Sequence, residues 1–132
     1  MPEALNFAFW KALCYTRGNE TAGRLKHMLQ IAICDDEKYY REEIRRLVEG
    51  WLEEKGIEYA IHLFASGEEF LIQNENLVRY DCIFMDINMN EIDGIEAAMQ
   101  IRSYHSKTQI VFVTAFIQYV LEGYKVDAVR YI

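Results

Sequence analysis

Proline occurs once in 132 residues, so a proline-rich or collagen-like segment is excluded, and 52% hydrophobic content excludes a disordered tail. No apolar run reaches the roughly 18–20 residues that a membrane helix needs. The three cysteines, Cys14, Cys34 and Cys82, are too few and too scattered for a disulfide framework, which makes a reducing cytoplasm the expected setting. Basic excess is also missing. The net charge of −7 argues against direct nucleic-acid contact by this chain.

What is present suffices for one domain with a sizeable core and is too short for two. The charge is unevenly spread. Residues 1–27 hold four basic and two acidic groups, whereas residues 28–132 hold ten and nineteen. The chain therefore divides into an N-terminal extension, 1–27, and a domain, 28–132. Within the extension, residues 4–15 are apolar apart from Asn6 and Lys11 and could form a helix of about three turns. Glu3 is the only charge ahead of that run, which fits a signal peptide poorly. Residues 16–24 are polar and glycine-containing, as a linker would be. Segment 4–15 has three readings: translated upstream sequence without a role, an interaction helix, or a cover for sheet surface through Phe7, Trp10 and Leu13.

From Met28 onward apolar strands alternate with helical patterns. Strands are predicted at 29–34, 57–64, 81–85, 109–113 and 128–132. A helix over 38–55 has Ile44, Leu47, Val48, Trp51 and Leu52 at helical spacing, and Gly56 stops it. Ser66 and Glu69 form a capping box opening a short helix through about residue 73. Further helices are predicted over 94–104 and 116–123. Apolar strands separated by helices imply an α/β fold, a parallel sheet covered on both faces in three layers. In such sheets functional groups collect at the carboxyl ends of the strands.

Those ends carry Asp35-Asp36-Glu37, then Asp86-Ile87-Asn88, then Thr114-Ala115. Each has a structural alternative. Asp35, Asp36 or Thr114 could cap the helix that follows, and Asp86 could serve a turn containing Asn, Asp and Gly. Their coincidence at one rim favours a pocket. Three converging carboxylates raise one another's pKa unless a cation neutralises them, and oxygen-only ligands suit Mg²⁺. His27, His62 and His105 have no companions at zinc-ligand spacing. Cys34 and Cys82 differ in height by about 10 Å at ~3.3 Å per residue, so they are expected to be buried thiols and not a disulfide. Trp51 is expected in the core and Tyr39 and Tyr40 on the surface. Arg41, Arg45 and Arg46, beside Glu42 and Glu43, read as a solvated helix face.

The segments IAICDDE, IFMDINMNEIDGIE, IVFVTA and AVRYI together resemble the receiver domain of bacterial response regulators, over about residues 28–132. The opening and the stretch TAFIQYVLEGYKVDAVRYI resemble receivers that precede a LytTR-type DNA-binding domain. The resemblance implies a doubly wound, flavodoxin-like sheet of strand order 2-1-3-4-5. It implies that Asp86 accepts a phosphoryl group from a sensor histidine kinase. Asp35 and Asp36 would hold Mg²⁺ with Asp86 and the backbone carbonyl of Asn88. The Thr114 hydroxyl would bind a phosphoryl oxygen, the small Ala115 would leave access, and Tyr131 would be the switch aromatic. The implied partners are the kinase, a second copy as a dimer, and a DNA-binding output domain; the first helix is where kinases often meet receivers. No membrane contact and no turnover of a separate substrate are expected.

The sequence departs from the family pattern in three places. Asn90 replaces the proline usual after the phosphoacceptor. The lysine that follows the switch aromatic and the fifth helix would fall beyond Ile132, so the domain is expected to be C-terminally truncated. Residues 1–27 precede the usual start. Two other functions compete: a receiver-like binding module that works without phosphate, and a haloacid-dehalogenase-like phosphatase, which would need an aspartate where Asn88 stands.

Overall fold

The computed structural model describes residues 28–73, 79–89, 91–104 and 108–113, and the backbone of 130–131. The extension 1–27 and the helix expected over 116–123 lie outside the described residues. The elements run β1 (Leu29–Cys34), α1 (Lys38–Glu54), β2 (Tyr59–Phe64), α2 (Gly67–Leu71), β3 (Cys82–Asp86), α3 (Gly94–Ser103), β4 (Gln109–Val113) and β5 (Arg130–Tyr131). They build one five-stranded sheet of order β2-β1-β3-β4-β5. Every neighbouring pair is parallel, with Ile31 opposite Ile61 and Cys82, Cys82 opposite Gln109, and Val111 opposite Arg130. This is the flavodoxin-like order, covered on both faces.

The near-continuous apolar strands are explained by the two cores. Successive side chains point to opposite faces. Ala32, Cys34, Ile83, Met85, Ile110 and Phe112 pack with Phe70 of α2 and Ile95, Ala98 and Ile101 of α3. Leu29, Ile31, Ile33, Cys82, Phe84 and Val111 pack under Ile44, Val48 and Leu52 of α1. Cys34 and Cys82 thus belong to opposite faces, both as buried free thiols. Trp51 is only half-buried at the margin of the α1 core, and Tyr39 and Tyr40 are exposed.

Element ends differ from the sequence expectations for local reasons. Gly56 stops α1 at φ 67°, but Ile57 donates its N–H to the Leu52 carbonyl at 3.0 Å. That bond folds Ile57 into the helix end, so β2 starts two residues later. The Ser66 hydroxyl caps α2 by accepting the Glu69 N–H at 3.0 Å. The Glu69 carboxylate reaches back to the Ala65 N–H instead of closing on Ser66. Asp81 falls just before β3, where its N–H donates to the Gln30 carbonyl at 2.8 Å and its carboxylate accepts the Gln30 N–H at 2.8 Å; the strand instead includes Asp86.

Candidate functional site

β1 hands over directly to Asp35, which is buried, and β3 ends in Asp86 itself. The strands are parallel neighbours with Cys34 opposite Met85, so their carboxyl ends lie side by side. One carboxylate oxygen from each of Asp35, Asp36 and Asp86 lies within 4.8 Å of the others. The Glu37 N–H donates to Asp35 Oδ1 at 2.8 Å, and the Asn88 N–H donates to Asp86 Oδ1 at 3.3 Å. These are local turn bonds. A carboxylate can accept about four hydrogen bonds, so one N–H each leaves most of that capacity open.

The cluster is electrostatically unfavourable on its own. Burial, reinforced by the charge of Asp35, pushes the Asp86 carboxyl up from 3.8 to about 7, against the Asn88 N–H that favours the ionised form. Burial also raises Asp35, with the Glu37 N–H opposing. One buried and two half-buried acids around one point can take a hard cation through oxygen alone, and the cation would relieve the repulsion.

The loop after Asp86 folds back tightly. The Ile87 carbonyl accepts both the Met89 N–H at 3.0 Å and the Gly94 N–H at 2.8 Å. Glu91 takes a positive φ of 59°. The Ile92 N–H is held by Glu68 of α2 at 3.1 Å, and Asp93 caps α3 through the Glu96 N–H at 2.9 Å. A Cβ on Gly94 would sit 2.8 Å from Ile87 Cα and closer still to the Asp86 carbonyl oxygen. Only glycine lets α3 begin against the strand end.

Of the residues singled out by sequence, Asp35, Asp36 and Asp86 are brought together, and Asn88 is exposed beside Asp86. Thr114 and Ala115 lie outside the described residues. The Tyr131 backbone pairs with Phe112 in β5, and its side chain lies outside the described residues. Asp36 does not cap α1. The N-cap is Glu37, without a side-chain cap bond. Arg45 and Arg46 form ion pairs with Glu42, Glu49 and Glu43, as a solvated face would. Arg41 does not belong with them: its Nη1 donates to the Asp35 carbonyl at 2.7 Å. Gly94 and Arg41 were not anticipated as parts of the site. The Asp-Gly pair at 93–94 was a visible signal for the first; the second needs the helix phase.

A family model described as the response regulator receiver domain matches residues 31–132. The sensory transduction protein LytT of Bacillus cereus is 35% identical over 105 residues, which is 80% of this chain and 41% of LytT. The transcriptional regulatory protein SrrA of Staphylococcus aureus is 38% identical over 87 residues, 65% of this chain and 32% of SrrA. The chain spans less than half the length of these relatives. Among solved structures, the response regulator protein TrrA of Thermotoga maritima in complex with Mg²⁺ and BeF is 31% identical with a TM-score of 0.59. That match covers 80% of this chain and 85% of TrrA.

Proposed function

The chain belongs to the response regulator receiver domains of two-component signalling, and from that premise we propose that Asp86 is its phosphoacceptor, in a receiver domain over residues 28–132. The convergence of Asp35, Asp36 and Asp86 within 4.8 Å carries the proposal. The Asp86 carboxylate attacks the phosphorus of a kinase phosphohistidine, the P–N bond breaks, and the leaving imidazole takes up a proton. Asp35, Asp36, Asp86 and the Asn88 carbonyl hold Mg²⁺, which supplies charge neutralisation to the transferring phosphoryl group. The oxygen-only donor set and the raised Asp86 carboxyl fit that ion. The complex described for TrrA supports the same choice of metal. Thr114 binds a phosphoryl oxygen, Ala115 leaves access, and Tyr131 turns inward as Thr114 moves, which converts a local charge of about −1.5 to −2 into a surface change. A receiver is a signalling protein and not an enzyme of ordinary turnover.

The setting is the cytoplasm and the donor a sensor histidine kinase. The output is transcriptional, through a DNA-binding domain in the full-length protein, and a second copy of the chain is a further candidate partner. The name of SrrA and the greater length of both LytT and SrrA support the transcriptional output. Among the described residues no helix is long and apolar enough to cross a membrane.

The test is incubation with acetyl phosphate and Mg²⁺, read by intact mass. The expected outcome is one phosphoryl adduct, lost on chelation of Mg²⁺ and lost in Asp86→Ala. An adduct that persists in Asp86→Ala rejects the assigned acceptor.

A further inference from the structure

α1 carries three arginines near its start, and they do different work. Arg45 and Arg46 reach surface glutamates of the same helix, contacts that contribute little to stability. Arg41 turns back six residues and donates from Nη1 to the Asp35 carbonyl at 2.7 Å. Its own N–H makes the first bond of α1, to the Glu37 carbonyl at 3.0 Å, so the helix fixes its rise and direction. Asp35 is consequently held at three atoms. Its N–H donates to the Phe64 carbonyl of β2 at 3.1 Å, its Oδ1 accepts the Glu37 N–H, and its carbonyl accepts Arg41. With the peptide planar, fixing that carbonyl fixes the Asp35–Asp36 link from behind.

The choice of acceptor matters. A guanidinium beside carboxylates ordinarily takes one of them in a bidentate pair. Such a pair would compete with a cation. On the carbonyl, Arg41 leaves the carboxylate oxygens open while its charge works against the burial that raises Asp35.

We propose that Arg41 is a positioning residue of the cation site: it clamps the turn between β1 and α1 so that Asp35 and Asp36 together face Asp86. This rests on the reading of those three acids as the Mg²⁺ site. Arg41 touches neither metal nor phosphoryl group in this role; it acts through the backbone of Asp35.

The sign of the effect separates positioning from charge. Removing a nearby positive charge would by itself tighten binding of a divalent cation, whereas losing the clamp weakens it. The experiment is calorimetric titration of the whole 132-residue chain with Mg²⁺ alone, with the fold of each variant checked by circular dichroism. Arg41→Met keeps the aliphatic stem and its packing while removing donor and charge; Arg41→Ala removes all three. Both are expected to weaken Mg²⁺ binding by about 10-fold, the scale of outer-shell substitutions at metal sites. Arg41→Lys restores a donor and is expected to recover part of the loss, and Arg45→Ala is expected to bind as the unaltered chain does. Unchanged or tighter binding by Arg41→Met, or an equal loss in Arg45→Ala, overturns the proposal while leaving the cation site standing. If the unaltered chain binds no Mg²⁺, or Asp36→Asn and Asp86→Asn bind it equally well, the site reading fails and Arg41 loses its role with it.

Discussion

The two ends of the sheet handle polar groups in opposite ways. At the amino ends of the strands the buried and half-buried groups are matched. Asp81 accepts the Gln30 N–H at 2.8 Å, and Gln30 Oε1 meets His62 Nε2 at 2.9 Å. The Thr108 hydroxyl donates to the Tyr80 carbonyl at 2.7 Å, and Arg102 donates to the Thr108 carbonyl at 2.8 Å. At the carboxyl ends Asp35, Asp36 and Asp86 face one another instead. Among the described residues one end is finished by folding, whereas the other keeps unmet charge, which folding tolerates because part of it stays protonated or hydrated. Unmet acceptors at a strand end are what a cation and a phosphoryl group can use.

Backbone closeness gives the largest expected contrast. Gly94→Ala forces a Cβ into the backbone of Asp86 and Ile87 and should cost about 3 kcal/mol, as severe overpacking does. Gly50→Ala on α1, where a Cβ meets nothing within 4 Å, should stabilise by about 0.5–1 kcal/mol. Urea unfolding of the two variants checks both, and equal effects would remove the claim that the loop after β3 is tight where α1 is open.

Next is the amino-end network. Asp81→Ala leaves the Gln30 N–H without its carboxylate and should cost about 1–2 kcal/mol. At the other end Asp86→Asn removes a like charge and should stabilise the metal-free chain, by on the order of 1 kcal/mol or less after solvent screening. Opposite signs for these two aspartates would sharpen the comparison; a common sign would break it.

The smallest effect is on pH dependence. The folded-state carboxyl of Asp86 stands at about 7, above its ordinary 3.8. Its stabilising contribution is therefore complete at low pH and lost as pH rises through about 7. His62 is shifted down from 6.5 by burial and by the charge of Arg79, so its contribution is present above 6.5 and lost on acidification. Of these two groups, Asp86 is the one whose contribution falls between about pH 6.5 and about pH 8. Without metal the melting temperature should fall across that interval; with saturating Mg²⁺, or in Asp86→Asn, it should stay flat. A fall that survives Asp86→Asn would assign the dependence elsewhere.

Much of this was legible because periodicity and strand-end chemistry are local. The runs 29–34 and 109–113 match β1 and β4 residue for residue, since apolar stretches between polar turns have one way to be buried. The Ser66 cap and the convergence of Asp35, Asp36 and Asp86 followed from short motifs and from parallel topology. The misplacements trace to bonds between distant residues or across a turn. Ile57 looked like strand until its N–H was claimed by Leu52, and Asp81 lies just before the strand, tied to Gln30 by both its N–H and its carboxylate.

The sequence by itself determined the alternation of strands and helices, the two apolar cores and the presence of acids at the strand ends. These follow from side-chain period and from residue chemistry, which neighbours along the chain already specify. Only the tertiary structure decided which acids meet and which are consumed. Asp81 just precedes β3 and Asp86 ends it, yet one accepts a hydrogen bond from β1 and the other faces Asp35. It also decided that Arg41, alike in sequence to Arg45 and Arg46, leaves the solvated face for the Asp35 carbonyl. Hydrogen-bond reach depends on distance in space, and β1, β3 and α1 acquire their distances only when the sheet is assembled.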